Sequence, residues 1–449
     1  MDQATRTQLA TAFERILDAS SVVTDPADTE AYSHDYSSNP GRAELVVKPR
    51  TAADVAAVLG YCGEHRVAVV PSGGRTGFSG GATPGPGAIV LSLERLDSIE
   101  PVDTVAHTVR VGAGAITQDV HDHCEAAGLT WPIDLASRGS SQIGGNISTN
   151  AGGINVVRYG MTRNWVLGLE VATLRGELLR LDRPLVKNNT GWDIMQLFIG
   201  SEGTLGVITS AVLKLAPAVD KRCTAFFALR DEMAMAHFVE TVRAAPFALL
   251  ALEYLDQPSL RRAVDYYQTP APIEVQAPYY VVVEYELAGH RQDDIEDWLS
   301  DLEVDGIEGA VVAQGEKQRA SIWLMREGLG EAWVAMGSGR THDVSVPVSQ
   351  AAEFLRVLRE RAAQEHPDWA IYGCGHLGDG NIHTHLRAPD GLGDAQLAQL
   401  WDQFDDFVFR IVTSEYRGSV SAEHGIGLSK KKYLPWCRSP AELDIFRAV

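Results

Sequence analysis

The chain has 449 residues, of which 45% are hydrophobic and 22% charged, a composition typical of a soluble globular protein of roughly two to four domains. Its formal net charge of −20 argues against a nucleic-acid-binding protein, which would present a basic surface. Five widely spaced cysteines without a C-x-x-C motif predict free thiols in a reducing cytoplasm, and the chain has no apolar run of about 18 residues that would cross a membrane.

The first elements of the chain predict an α/β layer. Residues 5–18 have the pattern of a short amphipathic helix, and Ala43–Val47 that of a strand. Thr51–Arg66 then reads as a helix with Thr51 as its N-cap, followed by a short buried strand at Val67–Val70. A strand, a helix and a strand in this order are typical of an α/β layer.

A glycine-rich run, Pro71–Ala82, begins where that strand ends. It contains five glycines within nine residues, too many for a packed element, and such a run can present successive backbone N–H groups to an anion. Arg75, Thr76 and Ser79 add side-chain donors for phosphate. The run has neither the spacing of a P-loop nor the context of a dinucleotide fingerprint, and its alternative interpretation is a flexible surface loop.

Two more runs of this kind follow. Strands are predicted at Ala88–Leu93 and Thr108–Val111, with a helix after Thr117. Ile143–Gly153 and Ile199–Thr209 are then rich in Gly, Ser, Thr and Asn. Such polar segments are costly to order unless a polar group lies against them. Three of them between hydrophobic strands predict one elongated ligand held by backbone amides, and a dinucleotide meets that demand.

Together, the three runs resemble the FAD-binding domain of the vanillyl-alcohol oxidase / p-cresol methylhydroxylase superfamily, over roughly residues 40–215. The resemblance implies that the first run surrounds the pyrophosphate of FAD and that the later runs line the rest of the cofactor. Some relatives attach the flavin through a His in the first run; this chain has Arg75 there and no His, so non-covalent FAD is expected. The residues implied to bind FAD are Ser72, Gly73, Gly74, Arg75, Thr76, Gly77, Ser79, Gly80, Pro132, Gly139, Ser140, Gly144, Gly145, Asn150, Gly152, Gly153, Gly203 and Val207.

Beyond Pro217 the pattern changes to strands that alternate with helices. This alternation predicts an α+β cap built on an antiparallel sheet, and a later amphipathic helix, Trp401–Ser414, leads back toward the first domain. The predicted strands are Ala225–Leu229, Leu249–Tyr254, Tyr279–Tyr285 and Ala310–Ala313, and the predicted helices are Asp231–Ala244, Gln292–Leu302 and Ser349–Glu365.

A histidine-bearing β-hairpin is predicted in the cap. Asp379-Gly380 is the dipeptide typical of a two-residue type I′ turn. That turn would place His376 directly opposite His383, with Cβ atoms about 5 Å apart, and His385 on the same face. Two imidazoles held in this way can both coordinate one metal ion. The alternative is a glycine-rich hairpin with ordinary surface histidines.

This hairpin and a later segment extend the resemblance over nearly the whole chain. Gly375–His383 and Ser421–Gly427 resemble the signatures of the C-terminal domain of FAD-linked oxidases. The branch in question contains D-lactate dehydrogenases, the glycolate oxidase flavoprotein subunit and D-2-hydroxyglutarate dehydrogenases. By this resemblance His424 is the catalytic base, and the ligands of a divalent metal ion are His376, His383 and Glu423.

The residue types agree with this chemistry. Two His and one carboxylate with open positions form a catalytic zinc site, and manganese or iron tolerates the same ligands. Neighbouring residues of an extended segment point to opposite sides, so Glu423 is expected to face the metal and His424 to point elsewhere. Oxidation of a 2-hydroxy acid removes the hydroxyl proton and transfers the Cα hydride to flavin N5. A metal ion favours loss of that proton, and an imidazole accepts it near neutral pH.

A candidate for substrate binding is Arg326, which matches the position at which relatives carry an Arg that binds the substrate carboxylate. The alternative is an exposed helical Arg paired with a neighbouring Glu. By the same resemblance, D-2-hydroxyglutarate dehydrogenases carry a Thr and a Lys where this chain has Gly330 and Thr341. Arg340, one position away, is a candidate to replace that Lys. These departures leave the identity of the acid open.

The sequence as a whole predicts an α+β protein of two parts. Residues 1–216 are expected to form a two-subdomain FAD-binding domain of the p-cresol methylhydroxylase type. Residues 217–449 are expected to form an antiparallel-sheet α+β cap with the metal site and terminal helices. The expected function is FAD-dependent, metal-assisted oxidation of a small D-2-hydroxy acid of the D-lactate, D-2-hydroxyglutarate or glycolate class. The alternatives are a metal-free FAD oxidase of an alcohol or phenol and a flavin-binding scaffold subunit.

An external electron acceptor is also expected. No cysteine cluster suggests a built-in iron–sulfur relay, so electrons must leave to an electron-transfer flavoprotein, a quinone or a cytochrome. We expect a cytoplasmic protein, free or peripheral to the inner membrane, with a homodimer as the candidate oligomer.

Overall fold

A computed structural model describes residues 1–449, and the strands of its amino-terminal half form two four-stranded sheets and one two-stranded pair. The strands are β1 (Val22–Val23), β2 (Val46–Val47), β3 (Val69–Ser72), β4 (Ile89–Ser92), β5 (Thr108–Gly112), β6 (Leu129–Thr130), β7 (Val166–Ala172), β8 (Leu178–Leu181), β9 (Val207–Lys214) and β10 (Ala216–Pro217). The helices are α1 (Gln3–Ile16), α2 (Pro26–Thr29), α3 (Ala52–His65), α4 (Thr117–Glu125), α5 (Ile143–Thr149), α6 (Val156–Tyr159) and α7 (Met195–Phe198).

Helix α3 joins the two sheets around one core. Thr51 caps its N-terminus in a capping box with Asp54, as predicted. In the first sheet, ordered β1-β2-β4-β3, both β2 and β3 pair in parallel with β4, so the predicted strand–helix–strand unit is confirmed. The inner face of α3, which includes Val58 and Leu59, is buried in the same core as the strands of the second sheet, ordered β5-β9-β7-β8.

The second glycine-rich run begins with a helix and is not the predicted loop. Ile143 and Ile147, one turn apart in α5, are both buried in the core. Gly144 lies so close to the end of β5 that an added Cβ atom would come within 2.7 Å of the Ala113 Cβ. The glycine is therefore needed for tight packing of a short helix, a role that the polar composition of the run did not indicate.

The carboxyl-terminal half is built on one seven-stranded antiparallel sheet, ordered β14-β11-β13-β12-β16-β17-β15. Its strands are β11 (Arg222–Leu229), β12 (Ala248–Asp256), β13 (Tyr279–Glu286), β14 (Ile307–Val312), β15 (Gly339–Ser345), β16 (Ala370–His376) and β17 (Asn381–Arg387). Its helices are α8 (Glu232–Arg243), α9 (Gln257–Tyr267), α10 (Gln292–Ser300), α11 (Glu316–Glu327), α12 (Leu329–Val334), α13 (Ala351–Glu365), α14 (Asp394–Glu415), α15 (Leu434–Cys437) and α16 (Pro440–Ala448).

Helices cover both faces of this sheet, which confirms the predicted α+β cap. Helices α8, α13 and α14 pack on one face around Phe238 and Phe404, and α9, α11 and α12 pack on the other around Trp323. The sequence pattern missed the edge strand β15 because its centre carries the buried polar residues His342 and Asp343 in place of alternating apolar ones. No helix combines the length and the hydropathy of a membrane-spanning segment.

Candidate active site

The histidine hairpin forms, but its register differs by two residues from the predicted one. Strands β16 and β17 pair His376 with Asn381, and residues 377–380 make the turn. Of these turn residues only Gly380 has a positive φ, at 82°, so the turn is not the type I′ turn that Asp379-Gly380 predicted. Because side chains alternate with a period of two, a two-residue shift keeps His376 and His383 on one face. Their ring centroids are 5.3 Å apart.

Glu423 brings a carboxylate oxygen between the histidines. Its Oε1 lies 3.8 Å from His376 Nε2 and 3.9 Å from His383 Nε2. His424 Nε2 is also 3.9 Å from this oxygen, so the expectation that His424 points elsewhere is wrong. The reason is a curled backbone: the successive amides of residues 423 and 424 both donate to Asp343 Oδ2, at 3.0 and 2.9 Å, which a fully extended segment cannot do.

Two buried carboxylates support this cluster. Asp343, besides holding the two amides, accepts a hydrogen bond from Asn381 Nδ2 at 2.8 Å. Glu253 Oε1 lies 2.8 Å from His376 Nδ1. A proton on Nδ1 directs the lone pair of Nε2 toward Glu423, the arrangement usual for metal-binding histidines.

Burial and charge set the protonation of the cluster. Burial and the positive charge of the adjacent His376 imidazolium lower the pKa of His383 to about 3. Burial alone would lower the pKa of His376, but the charge and hydrogen bond of Glu253 outweigh it and raise that pKa to about 10. Burial likewise would raise the pKa of Glu423, but the neighbouring His376 imidazolium lowers it to about 2. The cluster therefore offers a neutral imidazole and a carboxylate, and the proton on His376 competes with a cation.

Arg326 is buried beside these histidines and is not an exposed helical residue. Its Nη2 lies 2.8 Å from Glu253 Oε2, so its partner is a distant carboxylate and not the neighbouring Glu of the alternative interpretation. The Nε–H group is buried without a hydrogen-bond acceptor. A buried guanidinium with an unused N–H can bind a carboxylate.

One other sequence hypothesis does not fit the geometry, and a second predicted residue takes no part in the cluster. Arg340 points to the opposite face of the sheet, where its Nε donates to Asp405 Oδ1 at 2.8 Å, so it cannot replace a Lys at Thr341. His385 lies on the face of the metal-binding histidines, as predicted, but its ring stacks on Trp333 at 5.1 Å. Its Nδ1 is hydrogen-bonded to Thr341 at 2.8 Å, and it lies outside the group of atoms that could share a metal ion.

The three glycine-rich runs converge next to this cluster. A Cβ atom at Gly74 would overlap the Ser140 carbonyl oxygen, so the first run lies directly against the residues that lead into the second. The third run joins the second through Glu202, whose amide donates to the Ser148 carbonyl at 2.8 Å. In the first run, the backbone amides of residues 74–79 donate no hydrogen bond within the protein. Such a row of free amides suits a pyrophosphate group.

The loops therefore fit FAD. Trp131 Nε1 and Gln142 Oε1 are buried without partners beside the second run, and both can bind polar groups of a cofactor. Arg75, in the first run, places its guanidinium 4.6 Å from the centre of the Tyr32 ring. Its Nη1 donates to the Gly73 carbonyl at 3.0 Å.

The histidine cluster fits a divalent metal ion by its donor atoms. The two groups that could hold an ion are His376, His383 and Glu423, and Asp343, Glu423 and His424. A tetrahedral site with bonds of about 2.0–2.1 Å separates ligand atoms by about 3.4 Å. The separations of 3.8 and 3.9 Å around Glu423 Oε1 are close to that spacing.

Sequence reasoning missed the supporting carboxylates Glu253, Asp343 and Glu202. For Glu253 a signal was present, because it lies within the apolar strand stretch Ala-Leu-Glu-Tyr-Leu, and a charge buried in a strand must be paired. The sequence gives no sign of which groups these carboxylates contact.

Comparisons with known proteins match both halves of the chain. The FAD binding domain family matches residues 43–182, and the family of FAD linked oxidases, C-terminal domain, matches residues 219–449. D-2-hydroxyglutarate dehydrogenase of Xanthomonas citri pv. viticola is 37% identical over 98% of this chain and 93% of that protein. The protein of the same name from Stutzerimonas stutzeri is 34% identical over 97% of this chain and 94% of that protein. The solved structure of p-cresol methylhydroxylase with substrate bound has a TM-score of 0.76 at 14% identity, covers 99% of this chain and 94% of that chain, and shows the shared fold.

Proposed function

Because the chain belongs to the FAD-linked oxidases and is an FAD-dependent oxidoreductase of hydroxy acids, we propose that it oxidises a small D-2-hydroxy acid with the help of a divalent metal ion. The observation that carries this proposal is the position of Glu423 Oε1, 3.8 to 3.9 Å from three imidazole nitrogens, beside the flavin-binding loops. Three imidazoles around one carboxylate are costly to bury unless a cation or a substrate uses them.

The ligands proposed for the metal are His376, His383 and Glu423, and zinc is the proposed ion. When bound, FAD supplies the hydride acceptor and the metal ion supplies Lewis acidity toward the substrate hydroxyl. The residues implied to surround FAD in the three runs, together with Pro132, Gly139 and Ser140 ahead of the second run, stay part of this proposal. The free amides of residues 74–79 support the assignment of the first run to the pyrophosphate.

Two side chains are proposed to act on the substrate itself, and a third positions a metal ligand. Arg326 binds the carboxylate with the N–H groups that Glu253 leaves unused. His424 accepts the hydroxyl proton, and the Cα–H bond breaks so that its hydrogen leaves with both bonding electrons as a hydride; the acid thus loses two electrons and becomes a 2-oxo acid. Glu253 keeps His376 in the tautomer that presents Nε2.

The choice among D-lactate, D-2-hydroxyglutarate and glycolate depends on whether the site can bind a second substrate carboxylate, which only D-2-hydroxyglutarate carries. The two relatives described above bear the name D-2-hydroxyglutarate dehydrogenase. In this chain, however, Arg340 is paired with Asp405 on the other face of the sheet, and Thr341 is hydrogen-bonded to His385. A second substrate carboxylate therefore finds no cation at these two positions. We propose a 2-hydroxy acid without a second carboxylate, such as D-lactate.

The remaining parts of the proposal concern organisation and partners. We propose a domain boundary at residues 216/217, which the two separate hydrophobic cores on either side support. The electron acceptor is an electron-transfer flavoprotein, a quinone or a cytochrome. The five free cysteines support a cytoplasmic location.

The test is a panel of 2-hydroxy acids, both enantiomers, scored by bleaching of the flavin without oxygen. D-lactate should bleach the flavin faster than D-2-hydroxyglutarate or L-lactate, and prior chelation should abolish the reaction. Full activity in a demonstrably metal-free preparation would favour the metal-free oxidase. A flavin that no acid, alcohol or phenol reduces would favour the scaffold subunit. FAD released intact by denaturation supports non-covalent binding, and a flavin that stays with the chain contradicts it.

A further inference from the structure

The catalytic segment, residues 421–429, is held from two sides by carboxylates. On the cap side, Asp343 accepts two successive amides of the segment, as described above. On the flavin side, Glu202 accepts the next pair: Ile426 N lies 2.8 Å from Oε1 and Gly427 N lies 2.7 Å from Oε2. Each carboxylate thus fixes two consecutive peptide units, and the two carboxylates come from different halves of the chain.

Ser79, in the first flavin run, fastens the same segment. Its Oγ donates to the Gly425 carbonyl at 3.0 Å, and its own carbonyl accepts from Leu428 N at 2.8 Å and Ser429 N at 3.1 Å. Gly427 has a φ of 46°, and a Cβ atom there would overlap the Ser79 carbonyl oxygen. The segment therefore lies directly on the flavin loop.

The reactive side chains of the segment also touch flavin loops. Gly153 N donates to Glu423 Oε2 at 3.1 Å, so the proposed metal ligand uses its second oxygen on the second flavin run. The ring of His424 lies 4.8 Å from the ring of Phe78 in the first run. Any movement of these loops would therefore also move Glu423, the proposed metal ligand, and His424, the proposed base.

We propose that Glu202 is a positioning residue through which the flavin loops set the geometry of the metal site, so that FAD and metal binding are coupled. The inference rests on the proposed metal ligands. Glu202 has a φ of 53° and is tied to the second run by its amide, so an ordered flavin site fixes its carboxylate. Its carboxylate in turn fixes the peptide units that follow Glu423 and His424. A coupling of this kind is reciprocal between the two ligands.

The experiment compares purified holoenzyme with Glu202→Gln and with the matched control Glu177→Gln, an exposed acid of the same half without a side-chain partner. Four quantities are measured: the chelator concentration that removes half the metal, hydrogen exchange of the 421–430 peptide, FAD retention with and without the metal, and kcat with KM. Glu202→Gln should hold metal roughly 10- to 100-fold more weakly, because supporting groups of metal ligands typically have effects of this size. Its 421–430 amides should exchange faster, its FAD retention after metal removal should equal that of metal-free wild type, and kcat should fall more than KM rises.

Two further comparisons test positioning and coupling directly. Glu202→Asp keeps the charge but shortens the side chain, so it should restore part of the exchange protection. In wild type, removing the metal should weaken FAD retention by the same factor by which removing FAD weakens the metal, and Glu202→Gln should reduce this factor.

Unchanged metal retention and unchanged exchange in Glu202→Gln overturn the inference. Weaker FAD retention in metal-free Glu202→Gln than in metal-free wild type also overturns it, because Glu202 would then serve only the folding of the flavin loop. If wild type binds no metal at all, the proposed function fails, and the exchange of the 421–430 amides still decides whether Glu202 holds the segment.

Discussion

Replacing Glu253 by Gln tests how the cap orients a metal ligand. Glu253 is 1% exposed and lies 2.8 Å from both His376 Nδ1 and Arg326 Nη2. Removing its charge leaves a buried guanidinium unpaired, which costs about 3–5 kcal/mol. At about 2–4 °C per kcal/mol for a domain of this size, Tm should fall by about 6–20 °C. His376 also loses its fixed tautomer, so metal affinity should fall about 10- to 100-fold.

The assay is a chelator titration of bound metal together with thermal unfolding. Glu284→Gln is the matched control, because Glu284 is a fully buried carboxylate of the same sheet and pairs with Arg222 and Arg319, away from the histidine cluster. The control should lose comparable stability and keep its metal. Equal metal retention in Glu253→Gln and wild type would refute the reasoning, and so would equal metal loss in the two variants.

Three further predictions follow from the site and the cap. Arg326→Lys loses the planar fork that grips a carboxylate, so KM for the acid should rise at least about tenfold while FAD content is unchanged; a normal KM would remove Arg326 from the substrate site. Glu423→Ala should arrive depleted of metal, whereas His424→Asn should keep metal and flavin and reduce flavin about 10²–10⁴-fold more slowly in single turnovers; the reverse pattern of metal content would exchange the two roles. Burial raises the pKa of Asp405, but a hydrogen bond from His342 outweighs it and holds that pKa below its ordinary value. A carboxyl group whose pKa is lowered in the folded protein stabilises the fold at pH values above its pKa in the unfolded chain, about 3.9, and this stabilisation is lost as the pH falls below that value. Asp405→Asn should therefore lower Tm at pH 7 and make Tm decline less steeply with acid. A Tm–pH profile identical to that of wild type would contradict this.

Local patterns in the sequence were enough for several elements. Thr51 predicts the start of α3 because its side chain and that of Asp54 accept hydrogen bonds from free amides at the N-terminus of the helix. The alternation around Asp379-Gly380 placed His376 and His383 on one face although the register was wrong by two residues, since a shift by two preserves the face. The prediction of a loop over Ile143–Gly153 was wrong. Packing against Ala113 makes the first half of this run a helix, and the polar composition of the run does not indicate that packing.

The sequence by itself determined the α+β class, the glycine-rich runs and the family, because each of these depends on residues close together in the chain. The tertiary structure alone decided which carboxylates support the site. Glu253 reaches His376 across 123 residues, Asp343 reaches the amide of Glu423 across 80, and Glu202 reaches Ile426 across 224. These partners depend on strand order in the sheet and on how the flavin loops lie against the cap. No local pattern of residues specifies contacts between residues so far apart in the chain.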